Sequence, residues 1–275
     1  AWIHTFFVIV HYGQYIVAAI GVVFNTLVVA VVLSSPLRHS TPGHYLVALA
    51  VADNAFLLGE SLSWLHETPL RSMYIGRHDA ICGLIYTLQY HGQLSSSLLT
   101  VIIAVERYLT VTFPLKIARI STPCKAKLTI VVVMCLALAL SVFPFWIIKK
   151  SSRNNCEIPR SNMAKYTVWI WVNQRILALI VPIVLVTVFT ILIVFKLKHA
   201  QANRQTQLEG QSGNSQAAKE KQLTRMLVIV AAIFALIKTP FMITYFVYLY
   251  EPEKYDLEIV RIGVLYITLS ITDIL

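Results

Sequence analysis

The stretch LTIVVVMCLALALSVFPF, Leu128 to Phe145, runs for 18 residues without a charged side chain. At a rise of about 1.5 Å per residue, a helix of that length crosses most of a hydrocarbon layer roughly 30 Å thick. A membrane β-segment is shorter, about ten residues, and alternates apolar with polar side chains. No such alternation is present here. The composition carries the reading outward. The chain has 275 residues, of which 57% are hydrophobic and 13% charged, and its mean hydropathy is +0.69. Soluble domains run nearer half apolar and a quarter charged, and one soluble core of this size does not hide so much apolar surface. Seven helices of about 22–23 residues use roughly 160 positions, which matches the apolar content. The same numbers exclude disorder, a collagen-like repeat and a disulfide-dense secreted scaffold, and they argue against a soluble enzyme. The expected fold is an all-α membrane protein, a bundle of seven transmembrane helices in a single domain spanning 1–275.

The apolar segments lie at approximately 6–33, 43–65, 80–111, 126–148, 166–197, 222–250 and 256–275. Breakers punctuate the joins at Ser34-Ser35-Pro36, Thr41-Pro42-Gly43 and Ser121-Thr122-Pro123. The polar run from Gln201 to Gln216 reads as a flexible cytoplasmic linker. No internal repeat of the kind seen in many transporters is present. The formal charge is +10, but the cations sit in short loops and form no single phosphate-binding face, so nucleic acid is not an expected partner. Arg38, Arg107, Lys116, Arg119, Lys125, Lys127, Lys196, Lys198, Arg204, Lys219, Lys221 and Arg225 place twelve cations on the odd-numbered loops, against nine on the even-numbered ones. That bias puts the odd-numbered loops in the cytoplasm and the N-terminus outside. No cleavable signal peptide is legible, no Asn-x-Ser/Thr sequon occurs, and both ends read as trimmed of their tails. Four cysteines suffice for one bridge but not for a disulfide framework.

Within this frame several short patterns stand out. The third segment ends in Ala104-Val105-Glu106-Arg107-Tyr108, followed by Phe113-Pro114-Leu115. Taken alone, the acid and arginine read either as a functional pair or as an interfacial ion pair with a snorkelling guanidinium. Gly21 and Asn25 lie in the first segment and Leu49-Ala50-Val51-Ala52-Asp53 in the second. Cys82 opens the third, Cys156 follows the fourth, and Pro144, Pro182 and Pro240 interrupt the fourth, fifth and sixth. This combination resembles the rhodopsin-like (class A) G-protein-coupled receptors over the whole chain. The Phe113-Pro114-Leu115-Lys116 loop and the short second outer loop resemble the invertebrate FMRFamide-type peptide receptors.

The resemblance implies a multi-pass plasma-membrane receptor that binds an extracellular ligand and activates a heterotrimeric G protein as helix six swings outward. With the N-terminus outside, Cys82 and Cys156 face an oxidising compartment where a bridge can form; two free thiols are the other reading. Cys124 and Cys135 lie cytoplasmic or in lipid and are expected to stay reduced. A carboxylate at Asp53 is costly in an apolar helix unless paired, hydrated or bound to a cation. The resemblance implies a sodium ion there, with Ser96 and Asp273 as neighbours; a neutral, hydrogen-bonded Asp53 is the alternative. It also implies a cytoplasmic switch of Glu106, Arg107, Tyr108 and Glu220, against the plainer reading of Glu220 as a solvated helix-start acid.

The chain departs from the family pattern at Lys238, where a tryptophan is usual, at Met134 and at Thr190. An ammonium in a spanning helix needs a carboxylate, carbonyls or water. The expected ligand pocket therefore contains Glu60, Gln89, Gln93, Arg175 and Lys238, walled by Trp64, Tyr90, Trp171, Phe241, Tyr245 and Tyr266. The same residues also read as an internal salt-bridge network that fixes packing, and Lys238 as an engineered substitution. The seventh segment has no lysine to attach retinal, and no metal-ligand pair, phosphate loop or nucleophile elbow points to catalysis. The expected ligand is a short peptide, steered by Glu251, Glu253, Asp256 and Glu258 around the third outer loop. A small carboxylate-bearing molecule held by Arg175 and Lys238 is the rival. A transporter or channel and a non-signalling ligand-binding scaffold are the readings from other classes. Membrane lipid is an expected partner in all of them.

Overall fold

A computed structural model describes residues 2–64, 78–113, 121–150 and 156–205. Helix α1 (Trp2–Ser34) leads through a 3-10 turn at Pro36–His39 into α2 (Thr41–Trp64). Helix α3 (Asp79–Thr112) is followed by α4 (Pro123–Ser141) and a short α5 (Phe143–Ile147). Strands β1 (Lys149–Lys150) and β2 (Cys156–Glu157) pair antiparallel. The fifth span is composite: α6 (Met163–Ile170), a π-helical stretch over Trp171–Ile180, and α7 (Val181–Gln205). Five stretches are long and apolar enough to cross a membrane: Tyr15–Ser34, Thr41–Ser63, Asp79–Thr112, Pro123–Ile147 and Arg160–His199. The expected sixth and seventh segments lie outside the described residues.

The breakers act as local chemistry predicts. Ser35 caps the 3-10 turn by accepting from the Leu37 N–H, and the Ser40 hydroxyl accepts from Gly43 N at 3.1 Å. Thr122 caps α4, accepting from Lys125 N at 3.4 Å, with Pro123 in the first helical position where its missing N–H costs nothing. Proline decides two departures from the regular helices expected. Pro144 ends α4 early and restarts the fourth span as α5. Pro182 is fully buried directly after the π-helical stretch. Its ring has no N–H to offer Ala178, four residues back, and a widened turn is a common answer to that loss.

The bundle buries polar side chains within an apolar core and turns large apolar side chains outward. Asn25, Glu60, Ser63, Ser95, Ser141, Asn173 and Gln174 are buried, while Val131, Leu136, Val168 and Phe195 are exposed. That arrangement is what a lipid solvent selects: backbone and polar groups must be satisfied internally, and apolar side chains cost nothing on the outside. Helix α3 is the axis, packing against α2, α4, α5, β1, the π-helical stretch and α7. Its approach to α2 is backbone to backbone. A Cβ at Gly59 would meet Gln89 N at 2.6 Å, and one at Gly92 would meet the Ala52 carbonyl oxygen at 2.7 Å. Below this crossing, Tyr45, Ala48, Ala52, Leu99, Ala126 and Val133 close the core between α2, α3 and α4.

Candidate functional site

The antiparallel crossing of α2 and α3 sets what can meet at the outer end. Gly59 against Gln89 brings Glu60 beside the same turn of α3, and the Gln89 amide donates to the Glu60 carboxylate. Glu60 is buried and Gln89 half-buried. One residue on, buried Tyr90 turns towards the fifth span, where its hydroxyl hydrogen-bonds that of Tyr166. The Tyr90 ring meets Trp169 edge-on at 5.1 Å, and Tyr166 and Phe143 lie within 5.9 Å of the same indole. Glu60 lies in the neighbourhood of Tyr90, and Arg175 in that of Tyr166. The outer end is thus an aromatic cluster with an acid on one flank and a guanidinium on the other.

A second device holds this cluster in place. Pro144 offers no N–H, so the carbonyl of Leu140, four residues earlier, loses its helical partner. Trp169 Nε1 donates to that oxygen at 3.1 Å and Asn173 Nδ2 at 2.5 Å. The two donors are spaced i, i+4 and so share a helix face. A break in the fourth span thereby fixes the rotation of the fifth.

A covalent tether closes the outer end. Cys82, wholly buried at the start of α3, is bridged to Cys156 of β2 with their Cα atoms 5.5 Å apart. The same helix start is braced by Asp79, which accepts from Lys150 N at 2.7 Å and lies 3.8 Å from Lys149 Nζ. The free cysteines Cys124 and Cys135 are both exposed.

At the opposite end of α3, Glu106, Arg107 and Tyr108 are half-buried. The plain reading of Glu106 and Arg107 as an ion pair does not hold among the described residues. The Glu106 carboxylate instead accepts from the Ser121 hydroxyl at 2.6 Å, and the Ser121 carbonyl accepts from Thr41 at 3.5 Å. Adjacent side chains on a helix point about 100° apart, so Ser121 reaches Glu106 where Arg107 does not. The Tyr108 ring packs 5.6 Å from Phe189 of α7.

Of the expected pocket, the structure brings together Glu60, Gln89, Tyr90 and Arg175. Gln93 follows Gln89 by one turn of α3 and is half-buried, as is Trp171 in the π-helical stretch. Sequence reasoning missed Tyr166, Trp169, Asn173 and Gln174. The signal for two of them was available: a pair of donors at i, i+4 in the span after a proline-interrupted helix. Asp53 and Ser96 are half-buried on the adjoining helices α2 and α3, near the level of the Gly92 crossing. Met134 packs against the α2–α3–α4 core, and Thr190 donates to its own helix at Val186. The side chain of Trp64 and the residues Glu220, Lys238, Phe241, Tyr245, Tyr266 and Asp273 lie outside the described residues.

Membrane-length helices around a central third span, a bridged outer end and an arginine at the inner end define a membrane-spanning helical bundle. Residues 24–272 match the family described as 7 transmembrane receptor (rhodopsin family), and the chain belongs to that family. It is a multi-pass protein of the plasma membrane. The chain is 30% identical over 237 residues to the somatostatin receptor type 2 of Mus musculus, covering 83% of this chain and 61% of that one. It is 28% identical over 235 residues to the somatostatin receptor type 5 of Bos taurus, covering 83% and 60%. Against the thyrotropin-releasing hormone receptor of Gallus gallus it is 28% identical over 255 residues, covering 82% and 63%. The chain thus spans about three fifths of the length of these relatives.

Proposed function

We propose that the chain is the membrane core of a receptor that takes a short extracellular peptide at its outer end and activates a heterotrimeric G protein at its inner end, without catalysing a reaction. The observation that carries this reading is the placement of two unlike sites on one helix. Tyr90 sits in the aromatic cluster near the disulfide, and Arg107 lies 17 residues on, about 25 Å along α3. An aromatic cluster flanked by Glu60 and Arg175 offers apolar surface and charge of both signs, which suits peptide side chains and termini. The relatives named for somatostatin and thyrotropin-releasing hormone support the same class of ligand. The ligand shifts a two-state equilibrium by its differential affinity, and the open state exposes Arg107 to the G protein. In the closed state Glu220 restrains Arg107. Asp53 and Ser96 supply oxygen donors for a sodium ion, together with Asp273.

The test is nucleotide exchange on an added G protein by the purified, reconstituted receptor, with amidated basic peptides as ligands. Exchange that rises with peptide and is abolished in Arg107→Ala, at unchanged surface expression, is the expected result. Exchange that survives Arg107→Ala overturns the switch. A response to small carboxylates alone, lost in Arg175→Ala, overturns the peptide. Ion flux without ligand replaces the receptor with a channel or transporter.

A further inference from the structure

The second outer loop carries charge that neither site above uses. Residues 149–165 hold five cations, Lys149, Lys150, Arg153, Arg160 and Lys165, against one acid, Glu157. Among the described residues the nearby acids gather on one cation. Asp79 lies 3.8 Å from Lys149 Nζ, and Glu157 stands opposite Lys149 in the strand register. Lys150, Arg160 and Lys165 are all exposed, and none of them forms an ion pair among the described residues.

The backbone that bears these three cations is ordered by contacts they do not make. Cys156 is bridged to Cys82, and Ile148, Cys156 and Ile158 join the same apolar cluster as Tyr86 and Tyr166. Lys150 stands opposite Cys156 in the hairpin. Arg160 follows Cys156 by four residues, no more than about 14 Å of extended chain. Lys165 follows Arg160 by five, about 10 Å at most through a 3-10 turn and the start of α6. The cations therefore form an exposed row and not a pocket. A row of separate charges does not converge on one carboxylate; it matches a polymer that repeats its charge along its length.

We infer that this row on the outer loop binds a sulfated polysaccharide of the cell surface, with Lys150, Arg160 and Lys165 each facing a sulfate. Charge complementarity and sidedness select the partner together. Short basic runs suit heparin-like or nucleic-acid polyanions, and residues 149–153 read Lys-Lys-Ser-Ser-Arg. The disulfide puts the loop at the outer end of the bundle, where the abundant polyanions are the sulfated chains of the cell coat. A sulfate ester stays ionised at neutral pH, so the attraction is electrostatic and screened by salt.

The test uses the full chain in nanodiscs of phosphatidylcholine, which carries no net charge, and follows the fluorescence polarisation of a labelled heparin octasaccharide. Wild type is expected to bind at physiological salt and to weaken roughly tenfold as salt rises about threefold, the loss for about three neutralised cations. Lys150→Gln, Arg160→Gln and Lys165→Gln are each expected to weaken binding about threefold, and the triple variant roughly 30-fold. Lys125→Gln with Lys127→Gln, which removes exposed charge from the inner end, is expected to leave it unchanged. No binding by wild type, or equal binding by the triple variant, overturns the inference. So does an equal loss in the inner-end variant, which assigns the binding to overall charge. Hyaluronan, carboxylated but unsulfated, bound as tightly as heparin overturns the sulfate chemistry. A missing octasaccharide signal, together with a peptide response that needs an acidic ligand residue and is lost in the triple variant, gives the row to the peptide instead. Peptide-driven nucleotide exchange is read separately, so a failure of the receptor reading is distinguishable from a failure of this one.

Discussion

Replacing Gly92 by alanine places one methyl group where two helix backbones already touch. The added Cβ would stand 2.7 Å from the Ala52 carbonyl oxygen and 2.8 Å from the Phe56 Cα. Ordinary contact begins near 3.4 Å, and the Phe56 backbone nitrogen is met closer still, so α2 and α3 must separate by about 1 Å. No flexible side chain can yield instead, because the atoms met are backbone. Overpacking of this kind costs about 1–3 kcal/mol. Alanine also gains up to about 1 kcal/mol of helix propensity over glycine, which hides part of the loss. Gly13→Ala isolates the two effects, since a Cβ at Gly13 meets nothing within 4 Å. The difference between the variants is therefore the packing term alone. It corresponds to a Tm gap of roughly 2–12 °C, on the scale of about 2–4 °C per kcal/mol for chains of this size. The assay is thermal unfolding of the detergent-purified receptor, followed by intrinsic tryptophan fluorescence. Gly59→Ala stresses the same crossing through Gln89, so the double variant with Gly92→Ala should cost less than the sum. Equal Tm values for Gly92→Ala and Gly13→Ala would refute the close crossing, and with it the placement of Glu60 beside Gln89.

Two further predictions concern the outer end. Cys82→Ser and Cys156→Ser should each lower stability by about 4 kcal/mol, the entropic worth of closing a 74-residue separation, and the double variant should cost no more than either single one. Thermal unfolding and surface expression check this; unequal single variants would break the pairing. Trp169→Phe or Asn173→Leu alone should cost about 0.5–1.5 kcal/mol, because the other donor still serves the Leu140 carbonyl. Both together leave the Leu140 carbonyl without a donor at an apolar, lipid-facing surface, so a double-mutant cycle should show a loss greater than additive. A strictly additive cycle would mean that the two side chains do not share that oxygen.

Much of the fold was legible before any coordinates. The joins at Ser35-Pro36, Thr41-Pro42 and Thr122-Pro123 fall where capping chemistry puts them, and the five described spans follow the apolar runs. The bridge between Cys82 and Cys156 matched the sidedness read from the cations. The site was legible only in part. Tyr166 and Trp169 resemble any other interfacial aromatic until the rotation of the fifth span is fixed. That rotation is altered by a π-helical stretch that periodicity at 3.6 residues does not anticipate. Arg107 was found from its motif, but the partner of Glu106 was not, because Ser121 lies 15 residues away across a loop.

Hydrophobic runs long enough to cross a bilayer, the breakers between them and the side of the membrane each loop occupies are properties of consecutive residues, and the sequence alone determined them. Which helix faces meet was decided by packing. The two glycines let α2 and α3 close to backbone contact, and the missing N–H of Pro144 drew Trp169 and Asn173 to the Leu140 carbonyl. Both depend on groups far apart in the chain, whose distances exist only once the bundle has closed.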